Sequence, residues 1–484
     1  MRELLAGRQP RRTVIVAVID GGVDTAHIDL RGNLWSNPKE VAGNGRDDDG
    51  NGFVDDVRGW NFIGGSNGED VRYDTFEVTR EHVACMKSAA GGSAEAAAQE
   101  RCAKIAEAFE KKKNEAEQTL AQVQMIEGAM SQILPMLRQA LATDSLTVEK
   151  VTAFKPATAS LTQARTAYLQ LAENGITQDV IDDAKKAYGS QLKYGLDPDF
   201  DPRSIVGDNY TDPDERHYGN GDVMGPDAHH GTHVAGIIGA IRGNGVGVDG
   251  IAPAVRIMSV RTVPDGDERD KDVANAIRYA VDNGANVINM SFGKDYSPYK
   301  PAVDEAVKYA DSKGVLMVHA AGNDGADLGA KENFPTPVLG GGSKAANWIE
   351  VGASSWKGGE NLAASFSNYG KDQVDVFAPG EDVLSTMPGG EYKREDGTSM
   401  AAPVVSGLAA LIMAYYPQLT AADVKQVILQ STTSHADQMV MLPGSGPAGQ
   451  KVPFGTLSRT GGIVNAFAAL RMAEQLAAKK GISD

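Results

Sequence analysis

Three residues that together supply nucleophilic catalysis lie far apart in this chain of 484 residues: Asp20, His230 and Ser399. Asp20 closes the apolar run VIVAVID, His230 opens HGTHVAGIIG, and Ser399 sits in GTSMAAPVVSGLAAL. A serine hydroxyl is a weak nucleophile until a base takes its proton, and imidazole suits that task near neutral pH. A carboxylate must then fix the imidazole tautomer and stabilise the imidazolium. A serine at a helix start also turns backbone N–H groups toward a developing oxyanion. Each residue has a plainer reading by itself. Asp20 fits a turn, His230 a structural histidine in a Gly-rich segment, and Ser399 an N-cap. Only their combination points to catalysis.

A second constellation is GRDDDGNGFVDD at 45–56. Asp47, Asp49 and Asn51 have i, i+2, i+4 spacing, Gly52 supplies a sharp turn, Phe53 a backbone carbonyl and Asp55 a further carboxylate. This matches the first nine positions of an EF-hand-like loop and predicts bound calcium. The twelfth position is Arg58 rather than a bidentate Glu, so a full EF-hand is not expected, and a solvated acidic turn stays open. His229 and His233 flank His230, but the Glu of HExxH is missing, so no zinc site is expected. His233 reads as a packed or hydrogen-bonded structural residue.

The elements that position these residues follow from patterning. The apolar runs 13–20, 255–260, 286–292, 314–321 and 348–354 suit strands covered on both faces. Amphipathic helix patterns at 272–284 and 302–314 fall between them, each ending in glycine. This alternation predicts an α/β fold, a doubly wound and mostly parallel sheet with helices on both faces and sites at the strands' carboxyl ends. Residues 76–199 hold only 6 of the 55 glycines. They read as a helical insertion splitting an α/β domain made of 1–75 and 200–435. Ile105, Phe109, Leu120, Val123, Met130, Leu134, Leu137 and Leu141 form one apolar stripe, which Pro135 should kink or divide. Ser160 with Gln163 fits a capping box, Gly175 a stop, and Thr177 a new start running to about Gly189. Residues 436–484 predict a loop and a terminal amphipathic helix packed on the α/β domain.

Composition limits the function classes. The formal charge of −17 disfavours nucleic acid as a partner. Two cysteines, Cys85 and Cys102, exclude a disulfide scaffold and leave their own pairing open. No run reaches 18 apolar residues, so no transmembrane segment is expected. The N-terminal stretch MRELLAGRQPRR lacks the apolar region of a signal peptide.

VIDGGVD at 18–24, HGTHVAG at 230–236, AAGND at 320–324 and DGTSMAAPVVSG at 396–407 together resemble the subtilisin-like (subtilase) serine peptidases, bacterial extracellular members included. The resemblance covers about 13–75 and 205–435. It implies that Asp20, His230 and Ser399 form the triad and that Asn323 is the oxyanion-hole side chain. It implies that Ser291, Phe292 and Gly293, with Ala320, Ala321 and Gly322, line the pocket for the substrate residue at the scissile bond. A peptide would then bind as an added strand. One departure is Gly21, where the family has Ser or Thr, which alters a hydrogen bond near the triad carboxylate.

The expected function is a serine endopeptidase acting on polypeptides through an acyl-enzyme, with structural calcium and no organic cofactor. By resemblance, the chain is a processed form whose propeptide is not present, and its home is extracellular or periplasmic. The alternative is a catalytically silent binding protein using the insertion as its surface. A nucleotide-binding reading fails for want of GxGxxG after the first strand.

Overall fold

Alternating apolar side chains on the first strand, β1 (Val14–Asp20), divide the hydrophobic core in two. Val14, Val16 and Val18 face one buried cluster, and Ala17 and Ile19 face the other. This is the signature of a sheet covered on both sides. A computed structural model describes residues 4–90, 96–446 and 448–481. Its strands continue with β2 (Gly59–Asn61), β3 (Val255–Arg261), β4 (Val287–Met290), β5 (Leu316–Ala320), β6 (Trp348–Ser354) and β7 (Val376–Pro379). β8 (Val383–Met387) and β9 (Glu391–Glu395) form a separate antiparallel hairpin. Then come β10 (Thr433–Ser434), β11 (Met439–Met441), β12 (Lys451–Pro453) and β13 (Gly462–Ile463). The main sheet has the order β10-β13-β7-β6-β5-β4-β1-β3-β2, and every pairing is parallel except β10 with β13.

By contact the chain divides into two compact units, 1–77 with 201–484, and 78–200. The second unit is helical. It contains α1 (Glu77–Ala90, from its second residue), α2 (Ala96–Leu141), α3 (Val148–Ala153), α4 (Ala159–Glu173) and α5 (Gln178–Ser190). Ile105, Phe109, Met130 and Leu137 of the predicted stripe are buried, while Leu120, Val123, Leu134 and Leu141 are half-buried. Pro135 lies inside α2 and does not divide it, since the helix continues past it. One ladder bond is lost there, and the turn beyond is held by Leu137, fully buried with Val151 and Ala164. The α4 cap is Thr158, whose hydroxyl accepts from the Leu161 N–H, rather than Ser160. Gly175 takes φ +70° just after α4, and Thr177 caps α5 as the pattern predicts. Cys85 and Cys102 are disulfide-bonded, with 5.5 Å between their Cα atoms.

The first unit carries α6 (Arg203–Val206), α7 (His229–Gly239), α8 (Asp270–Asp282), α9 (Lys300–Ser312), α10 (Thr398–Tyr415), α11 (Ala421–Gln430) and α12 (Ala466–Lys479). α7, α10, α11 and α12 pack on one face of the sheet and α8 and α9 on the other, so it is doubly wound. α8 and α9 end just before Gly284 and Gly314, both at positive φ where a Cβ would strain the backbone. α10 is long and apolar enough to span a bilayer, but here it is a core helix, 83% buried. α12 buries Ala469, Leu470, Ala473 and Ala477 in the same core.

Candidate active site

Three adjacent parallel strands, β1, β4 and β5, deliver their carboxyl ends to one rim of the sheet. Asp20 is the last residue of β1 and is 2% exposed. Its Oδ1 accepts from the Gly21 N–H at 2.7 Å and lies 2.8 Å from Nδ1 of His230. Gly231 makes that approach possible. A Cβ there would meet the Gly22 carbonyl at 2.2 Å and the Asp20 Cβ at 3.2 Å. The start of α7 can therefore lie against the end of β1. The Asp20 bond places a proton on Nδ1 and leaves Nε2 as the basic nitrogen. The His230 side chain is 42% exposed. Burial pulls its pKa down, but the charge and hydrogen bond of Asp20, helped by Glu395 and Asp227, outweigh burial and raise it above the ordinary value. Asp20 Oδ2 is buried and has no hydrogen-bond partner among the described residues.

Ser399 stands in the first turn of α10, where its N–H has no intrahelical acceptor. Its hydroxyl donates to the Ser291 carbonyl at 3.1 Å, and the Ser291 hydroxyl donates to the Ser399 carbonyl at 2.9 Å. Ser291 follows β4 directly. Its hydroxyl also accepts from Asn289, whose own oxygen accepts from Ser406 of α10. Asn323 follows β5. Its Oδ1 accepts from the N–H and the hydroxyl of Thr398, at 2.9 and 3.0 Å. Two donors fix which end of the amide is which and leave Nδ2 free to donate elsewhere. Asn368 holds this loop by accepting from the Asp324 and Ala326 N–H groups and donating to the Ala321 carbonyl.

Of the predicted pocket residues, Ser291, Phe292 and Gly293 leave β4 beside Ala320, Ala321 and Gly322 leaving β5. Sequence reading missed the groups that hold them. His319 donates from Nε2 to the Phe292 carbonyl at 2.8 Å, and its Nδ1 lies 2.9 Å from Glu350, which also accepts from the Trp348 indole. His319 and Glu350 sit on strands that a pattern reads only as apolar runs. A polar residue inside such a run was the available signal. His233 donates to the Lys393 carbonyl at 3.0 Å and is fully buried, and His229 pairs with Glu395.

The acidic loop is arranged differently from its spacing. Asp47 accepts from the N–H groups of Gly50, Asn51 and Gly52, and Asp55, at φ +55°, accepts from those of Gly43, Asn44 and Gly45. Asn51 accepts from the Phe53 N–H, and its amide donates to Asp56. The carboxylates that converge are Glu40, Asp49 and Asp56, with oxygens within 4.8 Å of one another. Burial, with the nearby charge of Asp49, raises Asp56 despite hydrogen bonds from Tyr279, Asn37 and Asn51. Glu40 Oε2 is buried and receives no donor. All-oxygen ligation with surplus negative charge fits a hard divalent cation such as calcium.

The chain is 39% identical over 247 residues to the thermophilic serine proteinase of Bacillus sp. (strain AK1), covering 50% of this chain and 56% of that protein. It is 39% identical over 209 residues to subtilisin NAT of Bacillus subtilis subsp. natto, covering 43% and 51%. The chain spans about half the length of these curated relatives. The solved self-cleaved protease domain of PatA is 31% identical, covering 51% of this chain and 83% of that one with a TM-score of 0.39. The family pattern described as the Subtilase family matches residues 11–446, nearly the whole length, and the chain therefore belongs to that family.

Proposed function

We propose that this protein is a serine endopeptidase that hydrolyses peptide bonds through an acyl-enzyme. The observation that carries the reading is the buried Asp20 carboxylate bonded to Nδ1 of a half-exposed His230, on the rim that also bears Ser399 and Asn323. In the reaction the Ser399 hydroxyl turns from the Ser291 carbonyl to Nε2 of His230. The oxygen attacks the substrate carbonyl while its proton passes to the imidazole. Asn323 Nδ2 and the Ser399 N–H receive the oxyanion, and losing such an amide donor costs on the order of 10²–10³ in rate, a figure set in subtilisin itself. His230 returns the proton to the leaving amine, and water then repeats the sequence on the ester. The polypeptide lies as an added strand beside the 291–293 and 320–322 segments.

Calcium, held by Glu40, Asp49 and Asp56, would neutralise the loop and stabilise it without entering the chemistry. An extracellular or periplasmic home agrees with the Cys85–Cys102 disulfide, which persists in oxidising compartments. The test is labelling with a fluorophosphonate probe. The wild type should form a covalent adduct on Ser399 and Ser399→Ala should form none. An unlabelled but folded wild type would overturn the reading.

A further inference from the structure

We infer that Lys294 is a positioning residue for peptide binding. Its buried ammonium fixes the 291–293 wall against the segment that follows β3 and against the segment that leads into 78–200. This rests on the peptidase reading and deepens it. Lys294 directly follows the wall, and its side chain is 2% exposed. Nζ lies 2.6 Å from Glu77 Oε2, 2.8 Å from Asp270 Oδ1 and 2.8 Å from the Glu268 carbonyl oxygen. Those acceptors match the N–H bonds an ammonium can offer. Glu77 and Asp270 are as dry, at 2% and 3%. A lysine is almost never so buried unless it is paired, and removing one member strands the other charges. The acceptors come from separate parts of the chain. Glu77 opens α1, Glu268 lies between β3 and α8, and Asp270 opens α8.

Each partner is itself anchored. The backbone of Lys294 exchanges two hydrogen bonds with Phe334, at 3.1 and 2.9 Å. The stretch after β3 begins at the triad, where the Thr262 and Val263 N–H groups donate to the Asp20 carbonyl. Asp270 accepts also from the Ser297 hydroxyl and the Tyr299 N–H. The Glu77 N–H donates to Asp267 at 2.8 Å. The ammonium therefore joins the wall, the stretch tied to Asp20 and the start of α1. Without it, two dry carboxylates would share one space and part, and the wall, one residue away, would shift with them. A peptide lying along 291–293 feels that shift. A substrate that reaches only Ser399 does not.

The experiment measures kcat and KM on an extended peptide and on a single-residue ester. Lys294→Met keeps the length but not the charge. It should raise the peptide KM about 10-fold or more with kcat within about twofold, the signature of lost uniform binding. Ester kinetics and the rate of fluorophosphonate labelling should hold. Lys294→Met with Glu77→Gln removes the ammonium together with one stranded charge. It should recover melting temperature lost in Lys294→Met yet keep the raised KM, which a merely stabilising lysine would not do. Glu77→Ala should raise the peptide KM too, and Glu77→Gln, whose oxygen still accepts from Lys294, should not. If Lys294→Met does not fold, the double variant and Glu77→Ala carry the comparison. Folded variants whose peptide KM stays at the wild-type value, or in which peptide and ester are impaired alike, overturn this inference and leave the peptidase reading standing. A folded wild type that takes no fluorophosphonate overturns both.

Discussion

His230 must be neutral to accept a proton, so the factors that raise its pKa set the lower edge of the working pH range. The Asp20 carboxylate is needed for the tautomer, but Glu395 is not. Glu395 lies in the β8–β9 hairpin, is held ionised with a pKa of about 2 chiefly by its hydrogen bond from His229, and adds negative charge near the imidazole. The acid limb of kcat/KM should therefore have its midpoint above the ordinary imidazole value of 6.5. Replacing Glu395 by Gln should move that limb to lower pH and leave the plateau nearly unchanged. A titration of kcat/KM on one substrate decides it, and a limb that stays put or climbs would refute the assignment. The same shift has a sign for stability. A histidine raised in the fold contributes stability that is full below its unfolded pKa and is lost as pH rises through the folded one.

The loop between β1 and β2 shows what an element needs beyond spacing. Its acidic residues are ordered as a cation loop orders them, yet Asp47 and Asp55 spend their oxygens on backbone N–H groups. Glu40 and Asp56, outside the pattern, turn inward with Asp49 instead. Three close carboxylates repel unless a cation sits among them. Calcium at 100 times its dissociation constant should add about 2.7 kcal/mol to stability. A melting curve with calcium and with a chelator reads this, and Asp49→Asn should abolish the difference. Equal melting with and without calcium in the wild type would remove the ion from the account. The contrast with the rim of the sheet explains what a sequence can reveal. Asp20, His230, Asn323 and Ser399 stand in short local motifs whose glycines and helix starts fix their own geometry. His319 and Glu350 hold the segment after β4 only because strands distant in sequence bring them together, and no local spacing encodes such an approach.

At the scale of the molecule, an insertion of this size is tolerated because its two ends leave the sheet unit side by side. Arg269, 5% exposed, binds Asp74 at 2.7 Å on the way out and Asp201 at 2.9 Å on the way back, and Lys294 holds Glu77 at 2.6 Å. A loop whose ends are already joined can grow at small entropic cost. The 78–200 unit then needs its own stability. It has a small core around Leu137, Val151 and Ala164, plus the Cys85–Cys102 bond across 17 residues. A closure of that length is worth about 3 kcal/mol in the chain-entropy account. All four tryptophans, Trp35, Trp60, Trp348 and Trp356, belong to the other unit. Reduction, or replacement of both cysteines by serine, should therefore bring forward the loss of helical circular dichroism on denaturation while the tryptophan fluorescence midpoint stays where it was. If both signals shift together, the two units unfold as one cooperative body and the insertion is not an independent folding unit.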